Sequence, residues 1–278
     1  MKPNLLFVCL STILAAGCLA DLRSNNLVVD GISAVDRDQG RAILERSAKA
    51  HGLQRWRQHQ TVTVTYTDTW YRPVERLVSM PYPQNGQRLV HDQIVGSDSS
   101  RWMFKGGPLD GTVWGIQNWA TYRLQDATPT FEPDNTLKFW LPTNAYFFQA
   151  PFRLREATVV AHAGTARVDG RLLDIVFLSW NTAAPQSDVD QYVAYIDRES
   201  GQLMYLQYTI RDIFRTLIGT MHYTDYREID GMLVPHRMTV VTEPGGPRSL
   251  HEYLVESVGF DQVPKASLLP DPKRRGTK

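Results

Sequence analysis

The chain has 278 residues, of which 42% are hydrophobic and 21% are charged, with 30 basic residues against 29 acidic ones. This composition is typical of a globular protein with enough apolar side chain for a sizeable core. The near-zero charge balance argues against nucleic acid or an anionic membrane surface as the main electrostatic partner, since such binding needs a basic excess. Both cysteines, Cys9 and Cys18, lie near the start of the chain, which excludes a disulfide framework, a thiolate zinc site and a cysteine nucleophile from the remainder.

The N-terminus has the layout of a secretory signal peptide. Lys2 is the only charged residue before the cysteine at position 18, and the apolar run 5–16 is shorter than the roughly 18–20 residues that a membrane-spanning helix needs. The run leads into LAAGC, ending at Cys18, which resembles the lipobox of bacterial lipoproteins. The resemblance implies a signal peptide over 1–17, a palmitate-type lipid anchor at Cys18 and, because Leu19 rather than aspartate follows, sorting to the outer membrane.

An ordinary signal cleavage stays open beside the lipid anchor. Residues 18–20 also form a small-x-small site, and cleavage after Ala20 would release a soluble periplasmic protein. The two alternatives differ in whether an N-terminal lipid attaches the protein to a membrane.

One helix is predicted near the start of the mature chain. It covers 36–51, with Asp36 or Asp38 as its N-cap and Gly52 as its C-terminal stop. Trp56 is expected to pack just after it.

The chain after the signal peptide is divided into three segments. The segment 18–36 carries the anchor cysteine and has no clear period, which predicts a tether between lipid and domain. The basic, proline-containing segment 265–278 predicts a disordered tail. The chain between them, 37–264, is expected to form a single domain.

The hydrophobic period changes from helical to two at residue 61. In 61–71 the apolar residues Val62, Val64, Tyr66 and Trp70 fall on one face and threonines on the other, which predicts a strand with one buried face and one wet face. Asn-Gly, Asp-Gly and similar turn signals separate further predicted strands, and the short connections indicate antiparallel hairpins. These strands are predicted over 88–95, 101–105, 112–124, 158–168, 172–180, 191–197, 203–211, 217–226, 232–242 and 250–260.

The segment 136–155 is dense in aromatic residues and contains Pro142 and Pro151, which exclude a regular central strand. We predict a short helix between the two prolines that lies on the open face of the sheet. A packed core rarely needs so many bulky groups bracketed by prolines, so the segment favours a lid. Its aromatic residues are Phe139, Trp140, Tyr146, Phe147, Phe148 and Phe152.

Three stretches of sequence resemble the bacterial lipoprotein-carrier (LolA/LolB-like) superfamily. They are AKAHG at 48–52 with Trp56, the hairpin YIDRESGQL at 195–203, and YTDYREIDGMLVP at 223–235. The resemblance covers about 37–264 and implies an α+β fold, mostly antiparallel β, in which a curved incomplete β-barrel (half-barrel) has its open face closed by helices over a hydrophobic cavity. No functional residue of the carrier or of its receptor maps onto this chain, so none is carried over.

The sequence lacks the common catalytic and nucleotide-binding motifs, and its seven histidines are scattered singly. No cofactor and no metal site are therefore predicted. Asp68 stands out because it shares the apolar face of the strand 61–71, where an unpaired carboxylate is costly. It could orient the polar head of a ligand, act as a general base, reach water at the end of the strand or pair with an arginine.

These patterns favour a non-catalytic, lipid-anchored protein of the bacterial outer membrane that faces the periplasm. It would bind an acyl chain, a lipid or another hydrophobic ligand under the helical lid, in lipid or lipoprotein transport. Burial by itself would hold such a ligand, at about 0.8 kcal/mol for each CH₂ group. The candidate ligand-binding residues are Val62, Val64, Tyr66, Asp68, Trp70, Phe139, Trp140, Tyr146, Phe147 and Phe148.

Two other functions stay open. One is a non-enzymatic outer-membrane interaction or scaffold module with a filled core, whose protein partner the sequence does not name. The other is a hydrolase that uses Asp68 or a histidine. A lined pocket of roughly a few hundred Å³ favours the binding protein over the module, and two titratable residues meeting in that pocket would favour the hydrolase.

Overall fold

A computed structural model describes residues 19–211, 214–246 and 249–277 of the chain. The predicted signal peptide and the predicted anchor at Cys18 lie outside the described residues. The described part folds into one antiparallel sheet with helices packed against it. Its strands are β1 (Thr61–Trp70), β2 (Gln87–Ile94), β3 (Ser100–Lys105), β4 (Val113–Gln117), β5 (Ala120–Gln125), β6 (Thr128–Phe131), β7 (Val159–Val168), β8 (Arg171–Ser179), β9 (Tyr192–Asp197), β10 (Leu203–Ile210), β11 (Phe214–Ile229), β12 (Met232–Val241) and β13 (Ser249–Phe260).

The strands follow the order β6-β5-β4-β3-β2-β1-β13-β12-β11-β10-β9-β8-β7 across the sheet. The chain runs outward from β1 to β6, crosses the sheet through a helix, and returns from β7 until β13 pairs with β1. β6 and β7 remain as the two open edges, so the sheet does not close on itself. The predicted fold class, mostly antiparallel with an incomplete barrel, is confirmed.

The described helices range from one turn to five turns. No helix among them combines the length and the hydropathy that crossing a membrane requires. They are α1 (Asn25–Val29), α2 (Ala34–Ala50), α3 (Leu53–Trp56), α4 (Pro73–Ser79) and α5 (Asn135–Arg153), with 3₁₀ turns at Gly107–Leu109, Leu154–Glu156 and Lys265–Leu268.

α2 is the helix predicted over 36–51, but its N-cap is Ser33 rather than Asp36 or Asp38. The Ser33 hydroxyl accepts the main-chain N–H of Asp36 at 3.1 Å, and the Asp36 carboxylate accepts the N–H of Ser33 at 3.2 Å. This capping box adds two residues to the start of the helix. Gly52 stops it with a left-handed φ of 89°, and Trp56 packs just after it, so both of these predictions are confirmed.

α5 is one helix of 19 residues that contains both prolines, not a short helix between them. A proline inside a helix lacks the N–H that would bond the carbonyl four residues earlier. For Pro151 that carbonyl belongs to Phe147, and the hydroxyl of Tyr223 donates to it at 3.2 Å. The substitute donor comes from β11, far away in sequence, which is why the local pattern around Pro151 could not predict it.

The threonine face of β1 is largely buried, not wet as predicted. Thr61, Thr63 and Thr65 are each at most 9% exposed. Thr63 donates to the Asp92 carboxylate at 2.8 Å, and Thr61 donates to the Val263 carbonyl at 2.8 Å. The chain that follows β13 thus supplies the acceptor for Thr61, and β2 supplies the acceptor for Thr63.

The sheet also differs from prediction at β4, β5 and β6. The strand predicted over 112–124 is two strands, because Asn118 and Trp119 adopt positive φ values of 46° and 66° and reverse the chain. β6 was not predicted, since four residues including Pro129 are too few to display a period.

The segments predicted as a tether and as a disordered tail both pack on the sheet. Leu27 of α1 is 4% exposed and belongs to an apolar cluster with residues of β7, β8 and β9. Leu268 is fully buried, and the side chain of Gln117 accepts the N–H of Asp271 at 3.0 Å. Isolated apolar residues show no hydrophobic period in the sequence. Their burial depends on the tertiary surface that they contact, so the sequence did not predict it.

Candidate functional site

α5 packs on one face of the sheet and touches both of its halves. Its Phe148 ring lies 5.2 Å from Tyr66 of β1, and its Phe147 ring lies 4.7 Å from Tyr208 of β10, measured between ring centroids. β1 and β10 are four strands apart in the sheet, which is about 19 Å on a flat sheet. A helix is only about 10–12 Å wide, so the sheet curves around α5.

An apolar cleft lies where α3, the C-terminal end of α5 and strands β1, β12 and β13 meet. The rings of Trp56 and Phe152 stack at 4.3 Å and form one of its walls. About 20 Å³ of free space remains inside, room for about one water molecule. Its lining residues are Trp56, Val62, Val64, Phe148, Pro151, Phe152, Met232, Leu233, Val234, Pro235, Val258 and Phe260.

Two buried amides hold α5 against the sheet. Asn144 Oδ1 accepts a hydrogen bond from the Tyr253 hydroxyl at 2.9 Å. Gln149 Nε2 donates to Gln93 Oε1 at 3.0 Å, and Gln149 Oε1 accepts the N–H of Gly96 at 2.8 Å. Because an unpaired buried amide costs about 1–3 kcal/mol, these bonds favour one position of α5 on the sheet.

Asp68 lies in a second buried cluster, farther along β1, and is 1% exposed. Its carboxylate accepts hydrogen bonds from the Tyr82 hydroxyl, from the Trp70 indole at 3.1 Å and from His251 Nδ1 at 3.1 Å. Since a carboxylate only accepts, Nδ1 of His251 carries the proton. Burial and the charge of Asp68 raise the pKa of Tyr82 well above its usual value, which keeps Tyr82 a donor. Asp68 therefore pairs with a histidine, a tyrosine and a tryptophan, not with an arginine.

Two other histidines are buried as neutral rings. Burial lowers the pKa of His51 to about 4 and that of His91 to about 3. His51 Nδ1 donates to the Ser47 carbonyl at 2.8 Å, and His91 Nδ1 accepts from Gln93 Nε2 at 3.2 Å. In both rings Nε2 is buried without a hydrogen-bond partner. Across residues 19–211, 214–246 and 249–277 no group of three or more His, Cys, Asp or Glu side chains could hold a metal ion.

The predicted ligand-binding residues fall into three groups in the structure. Three line the apolar cleft, three belong to the cluster around Asp68, and four lie along α5 and β1 outside both. The cleft residues are Val62, Val64 and Phe148. The residues of the Asp68 cluster are Asp68, Trp70 and Trp140. The remaining four are Tyr66, Phe139, Tyr146 and Phe147.

Several residues of the apolar cleft and of the cluster around Asp68 were not predicted from the sequence. His251 joins the cluster because β1 and β13 pair with Trp70 directly opposite His251, and pairing across strands leaves no trace in the spacing of either strand. Val258 and Phe260 did carry a signal, because they alternate along β13 with the period of a half-buried strand. Nothing in the local sequence marked Tyr82.

No family model matches the sequence, and no curated protein matches it either. Solved structures do. A DUF1329 family protein from Desulfovibrio piger has a TM-score of 0.56 and 12% identity, over 84% of this chain and 97% of the other. A LolA superfamily protein from Nitrosomonas europaea has a TM-score of 0.51 and 9% identity, over 82% of this chain and 96% of the other.

This chain has the LolA-like fold. A domain from Vibrio parahaemolyticus that bears the name of an outer membrane lipoprotein-sorting protein is similar as well, with a TM-score of 0.54 and 10% identity over 84% of this chain and 98% of the other. The resemblance noted from the three sequence stretches is thereby confirmed for the fold. At these identities the likeness concerns the fold alone, and ligand and activity have to be argued from the site.

Proposed function

We propose that this LolA-like protein binds an acyl chain or another hydrophobic ligand between its curved sheet and α5. The observation that carries the proposal is the apolar cleft between Trp56, Phe152 and the strands beneath α5. Each CH₂ group moved from water into such a place contributes about 0.8 kcal/mol. A long chain can therefore be held without any specific polar contact.

Ligand entry requires α5 to move. The free space of about 20 Å³ compares with the roughly 300–1,000 Å³ of a small-molecule site. In the structure α5 and its aromatic side chains fill most of the space between helix and sheet. Opening would break the bonds of Asn144 and Gln149 to the sheet, so those bonds contribute to the energy that ligand burial has to exceed.

In this role the protein would lie in the bacterial envelope. Cys18 would carry the lipid that attaches it to the outer membrane on the periplasmic side, and transport of lipids or lipoproteins is the role that such a carrier fold would serve. No catalytic step is part of the proposal. The Asp68–His251 pair resembles half of a hydrolytic triad, but within the described residues no hydroxyl or thiol side chain is hydrogen-bonded to His251.

A second candidate function is an outer-membrane interaction module with a filled core. The small free volume of the cleft and the buried amide bonds of α5 favour it. The two functions differ in one respect: a module keeps α5 in place, and a binding protein releases it.

Ligand binding is tested on the chain from Leu19 onward, which carries the whole described fold. Native mass spectrometry of protein purified from cells should show bound lipid, and a fluorescent fatty acid should bind with saturation and be displaced by palmitate. The absence of both co-purifying lipid and saturable binding would refute the binding function and leave the module.

The anchor is tested separately by metabolic labelling of the full chain with palmitate. The wild-type protein should take up label and sediment with membranes, and Cys18→Ala should lose both properties. A wild-type protein without label that stays off the membrane would refute the anchor and support cleavage after Ala20.

A further inference from the structure

The connection between β1 and β2 carries an apolar surface that nothing in the described chain covers. α4 exposes Val74 to 71%, Leu77 to 88% and Val78 to 67%, and Tyr71 just before it is 51% exposed. Positions 74, 77 and 78 follow the i, i+3, i+4 spacing, so the three side chains share one face of the helix. We refer to these four residues as the α4 face.

The α4 face lies on the same rim of the sheet as the start of the described chain. In an antiparallel sheet, the end of β1 and the start of β11 lie on one rim, because β1-β13-β12-β11 alternate in direction. The N–H of Ala20 donates to the Arg215 carbonyl at 2.9 Å, which ties the chain to the start of β11. Three strand spacings separate β11 from β1, about 15 Å.

We propose that the α4 face docks on the surface of a lipid bilayer and inserts Leu77 and Val78 among the acyl chains. Residue 20 is two positions from Cys18, so an anchor there would hold this rim against the membrane; this step rests on the proposed anchor. Glu75 and Arg76 balance within α4, and Arg72 at its N-cap leaves one net positive charge over 72–79, which suits a surface of phosphate headgroups. Apolar burial supplies the main attraction, in keeping with the neutral charge balance of the whole chain.

The size of the α4 face favours a bilayer over a protein partner. A helix of seven residues is only about 10 Å long, whereas a stable protein interface buries about 800 Å² on each side. An exposed apolar tip needs no such area in a membrane, since the lipid tails close around each side chain.

The test uses the chain from Leu19 onward, which has no lipid, with vesicles of phosphatidylethanolamine and phosphatidylglycerol in a 3:1 ratio. The wild-type chain should float with the vesicles, and Leu77→Asp with Val78→Asp should weaken the partitioning about tenfold or more. The matched control is Leu172→Asp, an exposed leucine on the opposite rim of the sheet, which should float like the wild type. Equal flotation of the α4 variant and the wild type, or no flotation of the wild type, would overturn the proposal.

Insertion is measured directly by a fluorophore, because the chain from Leu19 onward contains no cysteine. An environment-sensitive dye on Leu77→Cys should shift to the blue with these vesicles, and the same dye on Leu172→Cys should not. An unchanged spectrum at position 77 would overturn the proposal. If the cysteine at position 77 instead cross-links to an envelope protein, the α4 face is assigned to a protein partner and the proposal is overturned. Fatty-acid binding does not depend on this result, so failure of the α4 face and failure of the ligand site are distinguishable.

Discussion

The hydroxyl of Tyr223 donates a hydrogen bond to the main-chain carbonyl of Phe147, the carbonyl that Pro151 leaves without its helical partner. Tyr223 is fully buried, so no water replaces this bond. The contact joins β11 to α5 and lets a helix with an internal proline continue over the sheet. It therefore stabilises α5 in the closed position.

Removing this hydroxyl should destabilise the protein. Tyr223→Phe leaves the Phe147 carbonyl buried and unpaired, at a cost of about 1–3 kcal/mol in the free energy of unfolding, measured with urea. In a Pro151→Ala background the alanine N–H can bond that carbonyl, so the same tyrosine substitution should cost clearly less. Equal costs in both backgrounds would show that the hydroxyl does not replace the missing helical bond.

Asp68 should act as the acceptor that holds its cluster together. Asp68→Ala leaves the donors on Tyr82, Trp70 and His251 buried without a partner, and should lower the free energy of unfolding by about 3 kcal/mol or more. The matched control is Asp225→Asn, an exposed carboxylate paired with Arg227, which should stay near the wild type. A stable Asp68→Ala protein would contradict this structural role.

Acid should destabilise the protein through its buried neutral histidines. The pKa of His51 is about 4 and that of His91 about 3 in the folded chain, against about 6.5 when unfolded. Below pH 6.5 the unfolded chain therefore binds more protons, and stability falls as the pH drops toward 4. The slope approaches about 1.4 kcal/mol per pH unit for each of the two rings.

His51→Phe isolates one of these contributions. The phenylalanine ring keeps the packing, and the Ser47 carbonyl retains the main-chain N–H of residue 51 at 3.0 Å. Urea unfolding between pH 7 and pH 4.5 should give a shallower decline for the variant than for the wild type. Parallel curves would mean that His51 is not held neutral by burial.

A substitution that weakens the attachment of α5 should distinguish a ligand-binding protein from an interaction module. Tyr253→Phe removes the hydroxyl that bonds Asn144, which destabilises the closed position by about 1 kcal/mol. If ligand entry requires opening, fatty-acid affinity should rise about fivefold while stability falls. The control is Tyr195→Phe, which loses a hydroxyl bonded to Gln207 at 2.7 Å, away from α5. Unchanged affinity in Tyr253→Phe would argue against a moving lid.

Much of the fold could be predicted because its signals are local. Alternation along β1, β2 and β7 to β13 located those strands to within a few residues, and turn residues with left-handed φ, such as Asp230 and Gly231, fixed their antiparallel pairing. The predictions were wrong where contacts with residues distant in sequence determine the structure. α5 continues through Pro151 because Tyr223 is there, and Leu27 and Leu268 are buried because the sheet offers them a place.

The sequence by itself determined the globular composition, the near-neutral charge and the position of the two cysteines, since charge, hydropathy and residue order need no fold. It also determined that β1 has an apolar face and that the segment around Phe148 is aromatic. Only the tertiary structure decided that α5 fills the space between itself and the sheet and that His251 and Tyr82 contact Asp68. It also decided that Leu77 is exposed on the rim of the sheet where the described chain begins. Each of these relationships joins residues from different strands or helices, and their distance depends on strand pairing and on the curvature of the sheet.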